Sequence, residues 1–311
     1  MSIFEEIMNH PELRQKPPVL VDIGASGGIH KQWKKIAPYS ICLAFDADTR
    51  DFSVDEVKSE FKQLFRINRI VAAEKSENAD FWLTSSPHCS SSLAPDKSAL
   101  KAWAFAPLFE VEKQIKLSAV TLGESLASCG LDNIDWYKSD SQGTDLSIFI
   151  SLPESIRQNI LVAEFEPGIL NAYVGEDKLS SLMLYMEDKP FWVQDMILKG
   201  SQRISQESLT MLRMVQRRFI SAFLRTPPGW CEISYMNDFL LIRNRRDFML
   251  GWVIAMLLKE HGYAIDLAER ARVHFGDPIF LEMRVEALNQ FKKGYLRLPA
   301  SLLRRLVAKV L

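Results

Sequence analysis

No charge of either sign predominates in this chain. Its 38 lysines and arginines stand against 39 acids, a formal net charge of −1, so there is no basic field for nucleic acid and no acidic solvating tail. Cysteine is scarce: Cys42, Cys89, Cys129 and Cys231 lie far apart and form no CxxC pair. That excludes a disulfide framework and a zinc ribbon, and it predicts a reduced, cytoplasmic protein. His10, His30, His261 and His274 have no metal-ligand spacing and read as surface or local packing residues. Long apolar runs are missing too. The longest, FMLGWVIAMLL at 248–258, falls short of the about 20 residues a bilayer span needs and predicts a buried helix. The opening stretch MSIFEEIMNHPELRQK is mixed in charge and has no signal-peptide apolar core.

The phosphate-binding loops of nucleotide folds are also absent. The stretch VLVDIGASGGIH at 19–30 has the strand and the glycines, but a dinucleotide fingerprint starting at Gly24 would need glycine where Ser26 and Ile29 stand. A P-loop would need a lysine that does not follow. What remains is D-x-G-A-S-G-G, with the acid Asp22 before the first glycine. An acid there repels a pyrophosphate and suits an ammonium or a sulfonium. A second acid, Asp46, ends the next aliphatic run (ICLAF, 41–45), where a carboxylate accepts from ribose hydroxyls. Ribose, amino acid and positive charge on one ligand describe S-adenosylmethionine. The plainer use of Gly24, Gly27 and Gly28 is a tight turn with Asp22 capping a helix.

Apolar runs predict strands at 19–23, 41–45, 64–72, 78–85, 109–120, 135–139, 160–166, 191–197 and 230–242. Helical spacing falls at 28–37, 54–61, 122–129, after Gly143, at 177–186 and at 201–224. Aliphatic strands alternating with helices predict an α/β fold, a mostly parallel seven-stranded sheet with helices on both faces. From Arg246 every segment reads helical, broken at Gly262, Gly276–Pro278 and Gly294, so the expected division is a sheet domain at 1–245 and a helical extension at 246–311. In the insertion at 201–224, Met211, Met214 and Val215 have core-like spacing. The last helix, SLLRRLVAKVL, is basic and amphipathic. It suits docking on its own protein or a second subunit, with a membrane surface as the other use.

VLVDIGASGGI, the acid after the second strand, RIVAAEKSENADFWLT, the CSSSL loop and TLGESL…IDWYKSDSQGTDLSIF together resemble the FkbM-type methyltransferases over about residues 19–196. The most specific part is K-x-D-x-x-G-x-[DE], here Lys138, Asp140, Gly143 and Asp145. Asp46-Ala47 stands where the family has Glu-Pro, and Asp145 where it has Glu; both keep the charge and shorten the reach. The resemblance implies a Rossmann-like class I methyltransferase that binds S-adenosylmethionine through Asp22, Gly24, Ala25, Ser26, Gly27, Asp46 and Ala73. It implies methyl transfer to a hydroxyl of a sugar or another secondary metabolite. Two rivals share the sheet: a nicotinamide-dependent oxidoreductase and a catalytically silent binding module.

A hydroxyl acceptor needs its proton taken. The acids at the ends of central strands are Asp140, Glu164 and Glu166, and Asp140 also suits a helix N-cap. A divalent cation on Asp140, Glu164 and Glu166 is a less favoured use of these acids than hydrogen bonding to substrate hydroxyls. The loop SSPHCSSSLAPD reads as a solvated surface loop or as a lid over the acceptor, with His88 a second base candidate.

Overall fold

In a computed structural model the structure describes residues 2–25, 30–48, 50, 60–242 and 244–296, without the side chains of Lys31 and of 294–296. The helices expected at 54–61, for residues 54–59, and at 301–311 lie outside the described residues. The chain divides into two compact units: Pro18–Leu241, and Met1–Pro17 together with Ile242–Leu311. The expected boundary at 245 falls close to the second junction. The first seventeen residues belong with the helical unit rather than with the sheet.

The strands of the sheet unit are β1 (Val19–Ile23), β2 (Ile41–Phe45), β3 (Gln63–Ile67), β4 (Ile70–Val71), β5 (Ser76–Thr84), β6 (Val111–Val120), β7 (Trp136–Ser139), β8 (Val162–Phe165), β9 (Phe191–Gly200) and β10 (Pro228–Asn237). Seven form one sheet in the order β3-β2-β1-β7-β8-β10-β9, and β4, β6 and β5 form a second, three-stranded sheet. Neighbours from β3 to β8 pair in parallel, whereas β10 runs antiparallel to both β8 and β9. The large sheet is therefore the doubly wound order 3-2-1-4-5-6 with one antiparallel strand wedged before the last. The order reverses between β1 and β7, and ligands of such sheets bind in the crevice at that reversal, beyond the carboxyl ends of the strands.

One sheet face presents Val19, Val21, Ile23, Leu43, Phe45, Tyr137, Ala163, Phe165 and Ile233 to a core shared with residues of helices Leu122–Ser128, Asp145–Ser151 and Leu179–Met186. The period of two along each strand makes this division. On the other face the α-helix expected at 28–37 is not formed over its described part. Two 3-10 turns, Lys31–Trp33 and Ala37–Tyr39, stand there, and Trp33 packs edge-on against Trp136 of β7. Pro38 and the β-branched Ile36 oppose a continuous helix. The single strand expected at 64–72 is two, because the chain leaves the large sheet after Ile67 and enters the small one at Ile70. The insertion is three short helices with no buried residue: Gln206–Thr210, Met214–Arg218 and Ile220–Phe223. Met211, Met214 and Val215 are thus exposed, contrary to the core-like spacing.

In the helical unit, Arg245–Leu257, His261–Phe275 and Pro278–Leu296 follow one another. The apolar run at 248–258 forms most of the first, and Phe248 to Ala255 are buried. No described helix is long and apolar enough to cross a membrane. Gly262 and Gly294 lie inside helices and break nothing, whereas Gly276 ends one in the left-handed conformation (φ 68°) that glycine tolerates best. Arg246 ties the N-terminal residues in, donating through Nε to the Lys16 carbonyl and through Nη2 to that of Pro17, 3.1 Å each.

The end of β10 is fixed by Asn237, which is fully buried. Its Nδ2 donates to the carbonyls of Gln158 (3.0 Å) and Ile160 (2.9 Å), and its Oδ1 accepts from the Phe239 amide at 2.8 Å. Asn237→Ala removes a hydrogen-bond partner from three backbone groups, two of them at buried contacts. It is expected to lower unfolding stability by about 2–4 kcal/mol, measured as a reduced urea midpoint with unchanged slope.

Candidate active site

At the β1–β7 reversal, three adjacent strands place charged side chains side by side. Register pairs Asp22 with Lys138 and Lys138 with Glu164, so one acid flanks the lysine on each side. Lys138 Nζ lies 2.7 Å from Asp22 Oδ1. Burial pulls the lysine's proton affinity down, but Asp22, Asp140 and Glu164 outweigh it and hold the ammonium charged. Asp22 is thus engaged inside the protein, 5% exposed, and is not among the cleft-lining residues. The acid before the glycines serves the lysine first.

Gly24, just past β1, answers for the first glycine. Its φ is +78°, and an added Cβ would stand 2.3 Å from the Asp140 carbonyl oxygen. The turn needs glycine because β7 passes against it. Gly24 and Ala25 donate backbone N–H groups to the Phe45 carbonyl, 3.0 Å each. Ser26, Gly27 and Gly28 lie outside the described residues.

A cleft opens here, lined by Gly24, Asp46, His88 and Asp140 together with an apolar wall of Phe45, Ile70, Val71 and Phe81. Asp46, at the end of β2, accepts the Asp48 amide at 2.8 Å. Asp48 is itself bound by Arg50 (2.6 Å). His88 is exposed at the rim, on a 3-10 turn at Pro87–Cys89. Ala73 is exposed beyond β4 and does not line the cleft. The structure thus brings Gly24, Asp46, His88 and Asp140 onto one cleft, with Asp22 and Ala73 outside its lining.

Asp140 is no helix cap. The following helix starts at Asp145 with Thr144 as its N-cap, and Asp145 takes the local donors: the Ser139 hydroxyl, and the Ser141 amide and hydroxyl at 2.9 Å. Burial lifts the Asp145 carboxyl to about 6. The Asp140 side chain instead accepts from Gln142 Nε2 and is hydrogen-bonded to Glu166. Burial is the main cause raising both acids of this pair, and for Glu166 the neighbouring Asp140 charge adds to it. The pair therefore shares a hydrogen-bonding proton that both acids hold more tightly than free carboxyls do.

A second cleft shares Asp140 and adds His30, Glu164, Glu166, Gln194, Glu232 and Ser234. Glu164 accepts from Trp136 Nε1 at 2.8 Å and faces His30 Nε2 at 4.0 Å. Burial raises Glu164 to about 7 and lowers His30, so the contact is between weakly charged groups. His30 thus belongs to the site rather than to plain packing. Among the described residues no three acid, histidine or cysteine side chains converge as metal ligands.

Gln142 and Tyr173 escape sequence reasoning, as do Gln194, Glu232 and Ser234 of the second cleft. Gln142 sits in the left-handed region (φ 58°), rare for a residue with a side chain. Its carbonyl accepts from Ser91 Oγ (2.7 Å), and its Oε1 accepts from the Tyr173 hydroxyl at 2.9 Å. The same hydroxyl lies 2.8 Å from the Cys89 carbonyl. The serine loop is therefore no solvated segment: Ser90, Ser91 and Cys89 are buried, and the Ser90 and Ser91 hydroxyls pair with backbone groups and with Arg50. Only the unusual pairing of Gln with Gly143 hinted at the turn.

Comparison with protein-family models, with curated proteins and with solved structures gives no match.

The shared proton sets a pH dependence. Glu166 keeps its proton to about 9 when folded and loses it near 4.5 when unfolded. The folded state therefore binds more protons between those values, and stability falls as pH rises through them. Glu166→Gln keeps a donor for Asp140 without the ionisation. Its melting temperature should gain on the parent between about pH 5.5 and about pH 8.5; a gap that stays constant would exclude the shared proton.

Proposed function

We propose that the protein is an S-adenosylmethionine-dependent methyltransferase acting on a hydroxyl oxygen of a saccharide or other secondary-metabolite acceptor. The observation that carries the reading is the convergence of Gly24, Asp46 and Asp140 on one cleft at the β1–β7 reversal. The donor set suits the cofactor. Asp46 ends β2, where ribose hydroxyls find an acceptor, and Phe45, Ile70, Val71 and Phe81 offer a flat apolar wall for a base. Among the described residues the charged groups lining the crevice include the carboxyls Asp46, Asp48 and Asp140, which suit hydroxyls and a cation better than a pyrophosphate. When bound, the cofactor supplies an activated methyl group.

The remaining work falls to this chain's own groups. Asp140 belongs to both clefts, so a hydroxyl presented from the second reaches the first beside it. Its raised proton affinity brings it towards the operating pH, which suits a general base. Lys138 favours its ionised form, and Glu166 and Gln142 hold the carboxyl in one orientation. Glu164, Gln194, Glu232 and Ser234 offer the hydrogen-bonding groups that a polyhydroxylated acceptor matches. His88 at the rim is the second base candidate.

Calorimetry should find S-adenosylmethionine or its demethylated product bound, with a nicotinamide dinucleotide weaker or silent. Asp46→Ala should weaken binding by about 1–3 kcal/mol. Preferential nicotinamide binding would overturn the reading.

Asp140→Asn should keep the fold and most of the cofactor affinity. Methyl transfer from labelled cofactor to a panel of saccharides and polyketide-type alcohols should drop by about 10²–10⁴. Undiminished transfer would move the base to His88.

A further inference from the structure

We infer that the insertion between β9 and β10 is a docking element for an anionic lipid surface. Its root is fixed: the Ala104 amide donates to the Gln202 carbonyl (2.9 Å), and Gln206 Nε2 donates to the Ala104 carbonyl at 2.8 Å. Beyond that root, three successive helices bury nothing. Met211 is 80% exposed, Met214 83% and Phe223 69%, and Val215 and Phe219 are more than half exposed. So much apolar surface on one element is not the scatter of an ordinary surface.

Charge selects the occupant. Residues 201–225 contain Arg203, Arg213, Arg217, Arg218 and Arg225 against the single acid Glu207, in a chain whose net charge is −1. All five arginines are exposed. Among the described residues none of them is ion-paired; Arg203 lies over the Trp103 ring, and Arg217 donates to the Leu212 and Thr210 carbonyls. A second copy of the element would bring like charges together. The segment 301–311 carries Arg304, Arg305 and Lys309 and no acid, so it too is repelled. Apolar side chains among unpaired arginines match an anionic headgroup layer over an acyl boundary. The direction of the strands gives the position: β10 is antiparallel to β8 and to β9, so β9 ends, and the insertion begins, at the same sheet edge as the clefts.

The test is co-sedimentation of the full chain with vesicles of phosphatidylcholine alone and with about one-third phosphatidylglycerol. Binding is expected only to the anionic vesicles and should weaken with salt. Arg213→Glu with Arg218→Glu should reduce it at least about tenfold, and Met214→Ser with Phe223→Ser should do the same while circular dichroism and cofactor binding stay unchanged. Equal binding to neutral vesicles, no binding, or binding that persists in both double variants would overturn the inference. So would a dimer in vesicle-free solution that both variants dissolve, which would assign the surface to a second copy. Because cofactor binding is read separately, failure here leaves the proposed activity untouched.

Discussion

A half-buried ammonium organises the reaction end of the sheet. Lys138 lies between Asp22 on β1 and Glu164 on β8, and its 2.7 Å contact with Asp22 joins the two strands between which the sheet order reverses. Removing Asp22 would take away the lysine's direct ion-pair partner in a partly buried place, a costly change. With all three present, the strand ends are held in register, and the chain leaves β7 at a defined angle to present Asp140. The close approach of the Asp140 carbonyl to Gly24 is the backbone counterpart of that pairing. Glycine and lysine do one job from two sides.

Around this fixed point the acids are graded by environment. Asp145 is absorbed by hydroxyls and an amide, Glu164 by an indole N–H, and Glu166 by its hydrogen bond to Asp140. Of these four, Asp140 alone lines both clefts. Four carboxyls close in sequence thus acquire four different states, set by which donor reaches each. A site built in this way needs no unusual residue; it needs neighbours in the right order.

The strands were legible because aliphatic runs bounded by turns read as buried parallel strands, and Asp46 and Asp140 could be placed at their ends for the same reason. What failed was governed by partners distant in sequence. The serines of 85–92 look solvated until Gln142 and Arg50 are seen to meet them. Ile36 and Pro38 turned an apparent helix into 3-10 turns, and a periodic pattern in 201–224 gave no sign that its helices bury no residue among the described ones. Asp22 seemed offered to a ligand because its partner is 116 residues away. Periodicity reports which face is apolar; it does not report what arrives there.

Residues 1–17 and those from Ile242 onward build one unit, with all of Pro18–Leu241 lying between them in sequence. During synthesis, helices Ile3–Met8 and Pro11–Gln15 emerge long before Arg245–Leu257 exists. Ile7, Met8 and Leu13, buried in the finished protein, must wait on the nascent chain while the sheet forms. The order of assembly is thereby imposed by connectivity: the sheet unit closes first and the helical unit last. A ribosome stalled before residue 245 would display a folded sheet with a sticky, unpartnered leader, a natural handle for a holding chaperone.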